Sequence, residues 1–320
     1  MKTYRFVSIL VAAAFLLVAC GGTPVASTKS PLRLAVNLWP GLYPAAIAQE
    51  QGFFAKHNVQ VEIHYYEAYP DTYSDLLLGK VDGLSAIVGD TLLINNQKNL
   101  KFVFPVDASD GADVIIVGDD VQSAADLKGK RIGAGFGTYG ELYVRTFLQQ
   151  NGLSPADVSL VNSPAENAAT SYQSEVDAIH TYEPYASEAL TKGGHVLSTS
   201  SDTPNLMLGA MTFPVALVES RPQDIQGFTD AWFEAVDWMY ANPDQVPAIV
   251  AKVFGVPVEY VWFGGDKVFT HAEAVALMQP GNDYSSAYFI TQQYVDFLVS
   301  TGSLASKPDT DSLIDPSFLK

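Results

Sequence analysis

Short apolar runs alternate with helical segments from Leu32 onward, and this alternation constrains the fold more than any other feature of the sequence. The alternating segments, beginning with a strand, are residues 32–38, 44–56, 59–66, 71–78 and 83–88, a helix that opens at Asp90, and a strand at 101–105. Strands show a period of two and helices a period near 3.6. Strands and helices in this order and at these lengths predict a parallel sheet with helices on both faces.

Residues 102–117, FVFPVDASDGADVIIV, are two apolar runs separated by a polar break that holds Asp107, Ser109, Asp110 and Gly111. We interpret this break as the point where the chain leaves one sheet and enters another. A second apolar run at 205–218 is able to carry the chain back. We therefore predict two lobes joined by a two-strand hinge. Lobe I comprises residues 31–110 and 215–320, and lobe II comprises residues 111–214.

The segments beyond residue 110 repeat the α/β pattern and then become helical. Lobe II is predicted to contain strands at 111–117, 131–134, 158–161 and 176–181, with a helix and turn at 121–130 and helices at 138–151, 166–173 and 185–190. The last part of lobe I is predicted to contain helices at 224–240, 243–254, 258–268, 271–277 and 284–301. Trp232, Phe233, Val236 and Met239 recur at helical spacing and predict core positions.

The N-terminus has the features of an export signal. Lys2 and Arg5 precede an apolar stretch at 6–18, and a small-residue end leads to Cys20, the only cysteine in the chain. Leu-Val-Ala-Cys resembles the bacterial lipobox, which implies cleavage after residue 19 and a diacylated Cys20. The alternative is an uncleaved anchor with an incidental cysteine. Residues 20–30 are small and polar, which predicts a flexible tether between a lipid anchor and the domain.

The balance of charge excludes one class of partner. Without residues 1–19 the chain has 16 basic residues (18 less Lys2 and Arg5) against 35 acidic ones, a net charge of −19. A balance of this sign repels phosphate backbones, so we expect no nucleic-acid partner. A single cysteine excludes an internal disulfide and a thiolate metal cluster, and we predict no cofactor and no metal.

Polar and aromatic residues follow the predicted strands, where ligands bind in open α/β sheets. From lobe I and the hinge we select as candidate ligand-binding residues Asn37, Trp39, Tyr66, Glu67, Asp90, Thr91, Asp107, Ser109, Asp110 and Gly111; lobe II adds Thr138, Tyr139, Tyr182 and Glu183. Other roles stay open for several. Trp39 would also suit a core cap, Tyr66 an outward strand position, and Asp90 or Glu183 a helix cap. His180 is interpreted as a strand residue with a satisfied side chain.

Residues 135–140 spell G-x-G-x-x-G, but they do not predict a dinucleotide site. The motif alone is weak, and an exported protein would not meet that cofactor. Thr138 and Glu141 instead predict a capping box, with Glu141 also paired to Arg145 at i,i+4. The free N–H groups at such a helix start are able to hold a polar or anionic ligand atom.

Several segments, taken in order, resemble the solute-binding proteins of ABC importers, in the branch that serves nitrate, sulfonates, taurine and thiamine-type pyrimidines. They are NLWPG at 37–41, QEQGFF at 49–54, GKVDG at 79–83, residues 107–113, DLKGK at 126–130, VDA at 176–178 and TYEP at 181–184. The resemblance covers nearly the whole chain beyond the tether. It implies a two-lobed periplasmic-binding-protein fold of type II, which closes on a small molecule and delivers it to a permease with its ATPase.

The ligand class follows from the residues near the predicted strand ends. Tyrosine and tryptophan are frequent there, with acidic acceptors among them, whereas Arg145 is the one arginine near a predicted cleft edge. Flat aromatic faces and acceptors suit a heteroaromatic ring with N–H or hydroxyl groups. We therefore expect riboflavin or a thiamine-type pyrimidine, bound by a monomer at the outer face of the cell membrane.

Two alternatives remain open. One is a sulfonate-, taurine- or nitrate-binding protein of the same importer family, since helix N-termini alone bind anions. The other is a pyrimidine-forming enzyme of thiamine biosynthesis on the same fold. The family's enzymes use a cysteine-rich motif that this sequence lacks, and no nucleophile with a base and an orienting group is evident. We therefore predict no catalytic residue.

Overall fold

A computed structural model describes residues 30–95 and 97–320. The predicted signal at 1–19, the predicted lipidation at Cys20 and the tether up to residue 29 lie outside these residues. The elements of the first half are β1 (Leu32–Val36), α1 (Tyr43–Glu50), α2 (Phe53–Lys56), β2 (Val61–Tyr65), α3 (Asp71–Leu77), β3 (Gly83–Ile87), α4 (Val88–Asn95), β4 (Leu100–Ser109), β5 (Val114–Val117), β6 (Arg131–Ala134), α5 (Tyr139–Gln150) and β7 (Ser159–Asn162).

The second half begins within the smaller sheet and ends in helices. Its elements are α6 (Ala168–Ser171), β8 (Ala178–Thr181), α7 (Tyr185–Leu190), β9 (His195–Thr199), β10 (Leu208–Pro214), α8 (Val215–Ser220), α9 (Pro222–Ala241), α10 (Val246–Phe254), β11 (Asp266–Val268), α11 (His271–Leu277), α12 (Ala287–Ser300) and α13 (Thr310–Leu313). Short 3-10 turns occupy Pro40–Leu42, Ala124–Leu127, Pro155–Asp157, Ala165–Asn167, Ser200–Asp202, Pro243–Gln245, Val258–Tyr260 and Pro316–Phe318.

The strands form two separate sheets, so the predicted two-lobed α/β architecture is confirmed. The larger sheet has the order β11-β4-β10-β3-β1-β2, and the smaller one has the order β7-β6-β8-β5-β9. Each sheet contains a parallel trio, β2-β1-β3 in the larger and β7-β6-β8 in the smaller. Each trio is extended by antiparallel strands, β10 beside β3 and β5 beside β8. The sheets are therefore mixed, and only their trios are parallel as the alternation predicted.

The chain passes between the sheets twice, after β4 and after β9. The acidic corner at 110–113 is the first crossing, as the polar break predicted. The two crossings are tied together by Ser200, whose Oγ accepts a hydrogen bond from the Gly111 N–H at 2.6 Å and lies 2.8 Å from the Ser109 Oγ. The Ser200 N–H donates to the Asp113 carbonyl at 2.8 Å.

An arginine–aspartate pair occupies the same place in both sheets. Arg33 of β1 donates to Asp82, just before β3, through its backbone N–H and its guanidinium at 2.6 to 2.9 Å. Arg131 of β6 binds Asp177, just before β8, in the same way at 2.7 to 3.2 Å. Because each guanidinium is held by two parallel bonds, each pair fixes the start of one strand to the start of the next.

The long helix α9 covers one face of the larger sheet and fills its core with aromatic rings. Trp232 is fully buried and lies with its ring centroid 5.7 Å from Phe104 of β4 and 5.8 Å from Phe228. Phe233, Val236 and Met239 are buried as well, so the predicted core positions on this helix are confirmed. No helix within residues 30–95 and 97–320 is long and apolar enough to cross a membrane.

Four differences separate the predicted elements from the observed ones. Where a helix was predicted at 121–130, only the 3-10 turn Ala124–Leu127 forms. The helix predicted at 258–268 is a 3-10 turn, a loop and the strand β11, because Gly264 and Gly265 adopt positive φ angles of 120° and 69° that end any helix there. The edge strand β9 was missed because its five residues, HVLST, hold only two apolar side chains and follow two glycines. The boundary of lobe II at residue 214 is too late, since β10 pairs with β3 and β4 in the larger sheet.

Candidate ligand-binding cleft

A cavity of about 720 Å³ opens between the two sheets, at the edge where the parallel strands of both sheets end. Because β10 and β5 are antiparallel to their neighbours, their N-terminal ends reach the same edge. The cavity is lined by Asn37, Leu38, Trp39, Leu42, Tyr65, Glu67, Ala68, Tyr69, Ser85, Ala86, Ile87, Asp107, Ser109, Asp113, Tyr139, Glu166, Tyr182, Glu183, Pro184, Tyr185, Glu188, Gly209, Glu259, Tyr260 and Trp262. Its position is the one expected for ligands in open α/β sheets.

Eight residues selected from the sequence lie together in this lining. They are Asn37, Trp39, Glu67, Asp107, Ser109, Tyr139, Tyr182 and Glu183. Each follows, or ends, a strand that reaches the cavity. Polar and aromatic residues selected after strand ends therefore line this cavity from both lobes, and their contact with a ligand stays a prediction.

The other predicted residues lie away from the cavity. The Tyr66 hydroxyl donates to Asp75 at 2.8 Å, and Asp110 is exposed at the hinge. Gly111 uses its N–H on Ser200, as described above. Thr138 caps α5, accepting a hydrogen bond from the Gly140 N–H at 3.2 Å. Tyr66, Gly111 and Thr138 thus use these polar groups on local structural partners, and the Asp110 N–H donates to the Gly265 carbonyl at 2.8 Å.

Asp90 and Thr91 are buried in α4, behind the cavity wall. The Asp90 carboxylate accepts hydrogen bonds from the hydroxyls of Tyr69 and Tyr73 at 3.1 and 2.9 Å. The Tyr69 hydroxyl in turn accepts from the Ile87 N–H at 2.9 Å. Burial raises the pKa of Asp90 to about 6, although the two hydroxyls oppose that rise. Asp90 thus holds Tyr69, which lines the cavity, in place.

Trp39 is held in place by the buried carboxyl group of Asp107. Its indole N–H donates to Asp107 at 2.5 Å. Gly41 and Gly209 flank that carboxyl so closely that a Cβ on either would collide with it. Burial raises the pKa of Asp107 to about 6, although the bond from Trp39 opposes that rise. Burial, followed by the charge of nearby Asp107, raises the pKa of Asp266 well above its usual range.

Aromatic rings cross the cavity from both lobes. Trp39 meets Trp262 edge-on at 5.5 Å between ring centroids and meets Tyr182 of the smaller lobe edge-on at 6.3 Å. The Tyr182 hydroxyl donates to Glu166 at 2.8 Å. Burial, followed by the charge of Glu166, raises the pKa of Tyr182. The phenol of Tyr182 is therefore neutral at physiological pH. Its ring contacts Trp39, and its hydroxyl contacts Glu166.

A buried histidine supports the hinge side of the cavity. The His180 Nε2 lies 2.8 Å from Asp113, and both side chains are almost wholly buried. The ring of His180 packs edge-on against Tyr139 at 5.7 Å between centroids. The Asp113 N–H donates to the Ser109 hydroxyl at 3.2 Å. His180 is thus a core strand residue behind the lining, although its Nδ1 has no hydrogen-bond partner among the described residues.

Sequence reasoning missed several lining residues for identifiable reasons. Trp262 was assigned to a helix that does not exist, and Tyr69 lies in the loop before α3 instead of directly at a strand end. Asp113 opens an antiparallel strand, so the carboxyl-end rule did not point to it. Glu166 lies in a 3-10 turn after β7. The TYEP segment at 181–184 was the available signal for Glu166, because Tyr182 needs an acceptor when it is buried.

The chemistry of the lining favours binding over catalysis. Among residues 30–95 and 97–320, no group of three or more His, Cys, Asp or Glu side chains is arranged to hold a metal ion. The two serines of the lining are Ser85 and Ser109, and Ser109 hydrogen-bonds Ser200 and the Asp113 N–H. Within the described part of the chain, neither hydroxyl has a hydrogen bond to an imidazole, which an activated hydroxyl of the serine–histidine type requires.

The sequence profile of the NMT1-like family matches residues 26–254. The chain belongs to the NMT1-like family. This match, together with the solved structures below, confirms the resemblance found in the sequence motifs. Among curated relatives, a binding protein of Brucella abortus strain 2308 is 25% identical over 267 residues, which cover 80% of each chain. A protein of Escherichia coli K12 described as binding aliphatic sulfonates is 26% identical over 247 residues, or 74% of this chain and 76% of that one.

Two solved binding proteins share the fold. The periplasmic aliphatic sulphonate binding protein SsuA of Escherichia coli superposes with a TM-score of 0.71 and 22% identity, over 90% of this chain and 94% of that one. The nitrate-binding protein NrtA of Synechocystis PCC 6803 superposes with a TM-score of 0.68 and 18% identity, over 90% of this chain and 86% of that one. The desulfurization enzyme DSZB superposes with a TM-score of 0.62 and 18% identity, over 91% of this chain and 98% of that one. The fold therefore occurs in binding proteins and in at least one enzyme.

Proposed function

We propose that this member of the NMT1-like family is the extracytoplasmic solute-binding subunit of an ABC importer, and that it captures a small heteroaromatic, vitamin-like ligand between its lobes. The observation that carries the proposal is the cavity itself, which has Trp39 and Trp262 on one side and Tyr139 and Tyr182 on the other. Flat rings bury large apolar areas and stack on planar ligands. Riboflavin and thiamine-type pyrimidines are the ligands that we would test first.

The mechanism is a closure of the two lobes around the ligand. A ligand that contacts both lobes favours the closed arrangement by the difference between its affinities for the closed and open forms. Trp39 and Tyr182 belong to different lobes and approach each other across the cavity. A planar ligand inserted beside them replaces an edge-on contact by stacking, and the closed form is then the one that the permease receives.

The location and anchoring are also proposed. The relatives named above include periplasmic binding proteins, and the N-terminal signal followed by Leu-Val-Ala-Cys supports export and lipidation at Cys20. We propose a monomer held at the outer face of the cell membrane by lipid on Cys20. Incorporation of labelled palmitate tests the anchor: label in the parent protein and none in the Cys20→Ser variant is expected. Equal labelling of both would refute it.

Intrinsic fluorescence tests the ligand class. The chain has four tryptophans, of which Trp39 and Trp262 line the cavity while Trp232 and Trp238 do not. Riboflavin or 4-amino-5-hydroxymethyl-2-methylpyrimidine is expected to give saturable quenching that Trp39→Phe reduces strongly. Trp238→Phe is the matched control and is expected to leave the fractional quenching unchanged. A response to taurine or nitrate alone would overturn the heteroaromatic assignment and leave the importer assignment intact.

The sulfonate- or nitrate-binding alternative is supported by the names of the relatives, and the lining of the cavity speaks against it. An enzyme on this fold is the other alternative, since DSZB shares it. Incubation with a ligand that binds, followed by mass spectrometry, separates the two classes. Recovery of the intact ligand supports binding, whereas a stoichiometric or catalytic product would overturn it. Permease and ATPase genes beside this one would support import independently.

A further inference from the structure

The charged side chains that line the cavity all have the same sign. Seven carboxylic acids reach it: Glu67, Asp107, Asp113, Glu166, Glu183, Glu188 and Glu259. No lysine, arginine or histidine occurs among the lining residues, all of which lie in the described part of the chain. The acids come from both lobes, so closure brings them nearer to one another. A sulfonate or nitrate ion would meet this field without a counter-charge.

Three arginines of the two lobes have ion-pair partners away from the cavity, and His180, which lies behind the lining, has its Nε2 2.8 Å from Asp113. Arg33 and Arg131 hold the strand starts at the opposite end of the sheets, through Asp82 and Asp177. Arg145, the arginine that the sequence placed near a cleft edge, forms an ion pair with Glu141 at 2.6 Å and does not line the cavity. Its ordered partner and its position both keep it from neutralising a ligand anion.

The start of α4, next to the cavity wall, already has an acid of its own chain. Asp90 stands in the first turn of α4 and is buried there, near the positive end of the helix dipole. The Ile87 N–H, just before the helix, donates to the Tyr69 hydroxyl. An oxyanion at this helix start would therefore meet a carboxyl group of the chain.

The helices of the smaller lobe are compensated in the same manner. At α5, Glu141 accepts from the Gly137 N–H at 2.8 Å and Thr138 accepts from the Gly140 N–H at 3.2 Å. At α7, Glu183 accepts from the Ser187 N–H at 3.3 Å. Both helix starts that border the cavity in this lobe therefore already have oxygen acceptors from their own chain, and an incoming oxyanion would have to displace them.

Asn37 adds an independent indication of the ligand's polar groups. The residue is only 8% exposed and lines the cavity, yet its Oδ1 has no hydrogen-bond partner among the described residues. A buried carbonyl oxygen without a partner costs free energy unless a donor reaches it. A ligand N–H or a bound water would supply that donor, and the oxygen of a sulfonate would not.

We propose that the cleft selects an organic cation, namely a heteroaromatic ring that bears a positively charged amine or ring nitrogen and an N–H donor, and that it rejects oxyanions. This inference rests on the proposed function, because it concerns the same cleft, and it adds the charge of the ligand. Trp39 and Trp262 offer ring faces to the cation. Glu166 and Glu183 from one lobe, with Glu67 and Glu259 from the other, supply the counter-charge.

Three pyrimidines of nearly equal shape test the charge. They are 4-amino-2-methylpyrimidine bearing at position 5 an aminomethyl group (cationic), a hydroxymethyl group (neutral) or a carboxylate (anionic). Titration of the purified protein at pH 7.5 is expected to give the tightest binding for the aminomethyl compound, about tenfold tighter than the hydroxymethyl compound. The carboxylate is expected to bind at least tenfold more weakly than the hydroxymethyl compound. Added salt is expected to lower the affinity for the cationic compound more than that for the neutral one.

Charge-neutralising variants connect the preference to the cleft. Glu166→Gln keeps the acceptor for the Tyr182 hydroxyl. It is expected to lower the affinity for the aminomethyl compound about fivefold and to change the affinity for the hydroxymethyl compound less than twofold. Glu175→Gln, at an exposed site outside the lining, changes the net charge equally and is expected to alter neither. Circular dichroism checks that the variants are folded.

Every outcome decides between the two proposals. Equal affinity for all three pyrimidines, or preference for the neutral or anionic one, overturns the cation inference and leaves the proposed function standing. The same holds if Glu175→Gln acts as strongly as Glu166→Gln, since the effect would then come from net charge alone. Binding of taurine or nitrate with no response to any pyrimidine overturns both proposals. Binding of none of these compounds overturns the ligand class and the cation inference with it.

Discussion

The two lobes use one framework but place different chemistry at their strand ends. Both contain a parallel trio of strands that is tied at its start by an arginine–aspartate pair, Arg33 with Asp82 and Arg131 with Asp177. At the cleft, both lobes contribute tyrosines and glutamates to the lining, and the two indoles of the lining come from the larger lobe. The comparison teaches that the pairs that hold the strands lie at one end of each sheet, whereas the residues proposed to recognise the ligand lie at the other.

The largest expected effect concerns the indole of the larger lobe. Trp39→Ala is expected to lower the affinity for a heteroaromatic ligand on the order of 100-fold, because the side chain is a half-buried aromatic anchor in the cavity whose ring also meets Tyr182 of the other lobe. Tyr182→Phe keeps the ring and loses one hydrogen bond to Glu166, so a loss below about tenfold is expected. Fluorescence or calorimetric titration measures both. Equal losses would contradict the division of roles between the lobes.

The framework pairs are expected to differ in stability. The Asp82 side chain is 20% exposed and that of Asp177 is 35% exposed. Asp82→Ala is expected to lower the free energy of unfolding by about 2 kcal/mol, and Asp177→Ala by less, since a more exposed charged pair contributes less. Urea unfolding measures both, and neither variant is expected to change the ligand preference. A larger loss for Asp177→Ala would reverse the ranking of the lobes.

A fall in pH is expected to change the contributions of Asp82 and Asp90 to folding stability in opposite directions. Burial alone would raise the pKa of Asp82, but the bonds from Arg33 outweigh it and lower that pKa. This stabilisation is present above the unfolded pKa of about 4 and is lost as the pH falls through the lowered folded value. At the cleft, burial raises the pKa of Asp90 to about 6. Its contribution is present below about pH 4 and is lost as the pH rises through about 6.

Two variants separate the pH-dependent contributions of Asp90 and Asp82 to stability. Asp90→Asn is expected to flatten the fall in stability between about pH 4 and pH 6, because a neutral amide replaces a group that must ionise in the interior. Asp82→Asn is expected to flatten the loss of stability below about pH 4 instead. Unfolding midpoints in urea at a series of pH values provide the measurement. An unchanged profile between pH 4 and 6 for Asp90→Asn would show that the raised pKa does not contribute to stability.

The smallest effects come from helix caps, one in each lobe. Thr138 caps α5, and Thr270 forms a capping box with Glu273 at the start of α11. Thr138→Ala and Thr270→Ala are each expected to cost about 1 kcal/mol. Calorimetry then shows whether the lobes unfold together. If both variants shift one shared transition, the lobes are cooperative, and if each shifts a different transition, they unfold independently.

The strand ends of the two lobes were predictable from the sequence because the alternation of apolar runs is local. Asn37, Trp39, Tyr182 and Glu183 follow strands whose period is visible over a few residues. Trp262 was not predictable in this way, since its position depends on two glycines that break a helical pattern and on the pairing of β11 with β4. Asp90 follows a strand as predicted, yet α4 turns its side chain toward Tyr69 and Tyr73. Tertiary packing determined the direction of that side chain.

The hydroxyl of Ser200 has a mechanical consequence. Since it binds the segment leaving the larger sheet from within the segment that returns to it, the two connections cannot slide past each other without breaking its bonds to Ser109 and Gly111. These bonds oppose a sliding of the two connections past each other. The lobe closure proposed above is therefore expected to proceed by bending of both connections together.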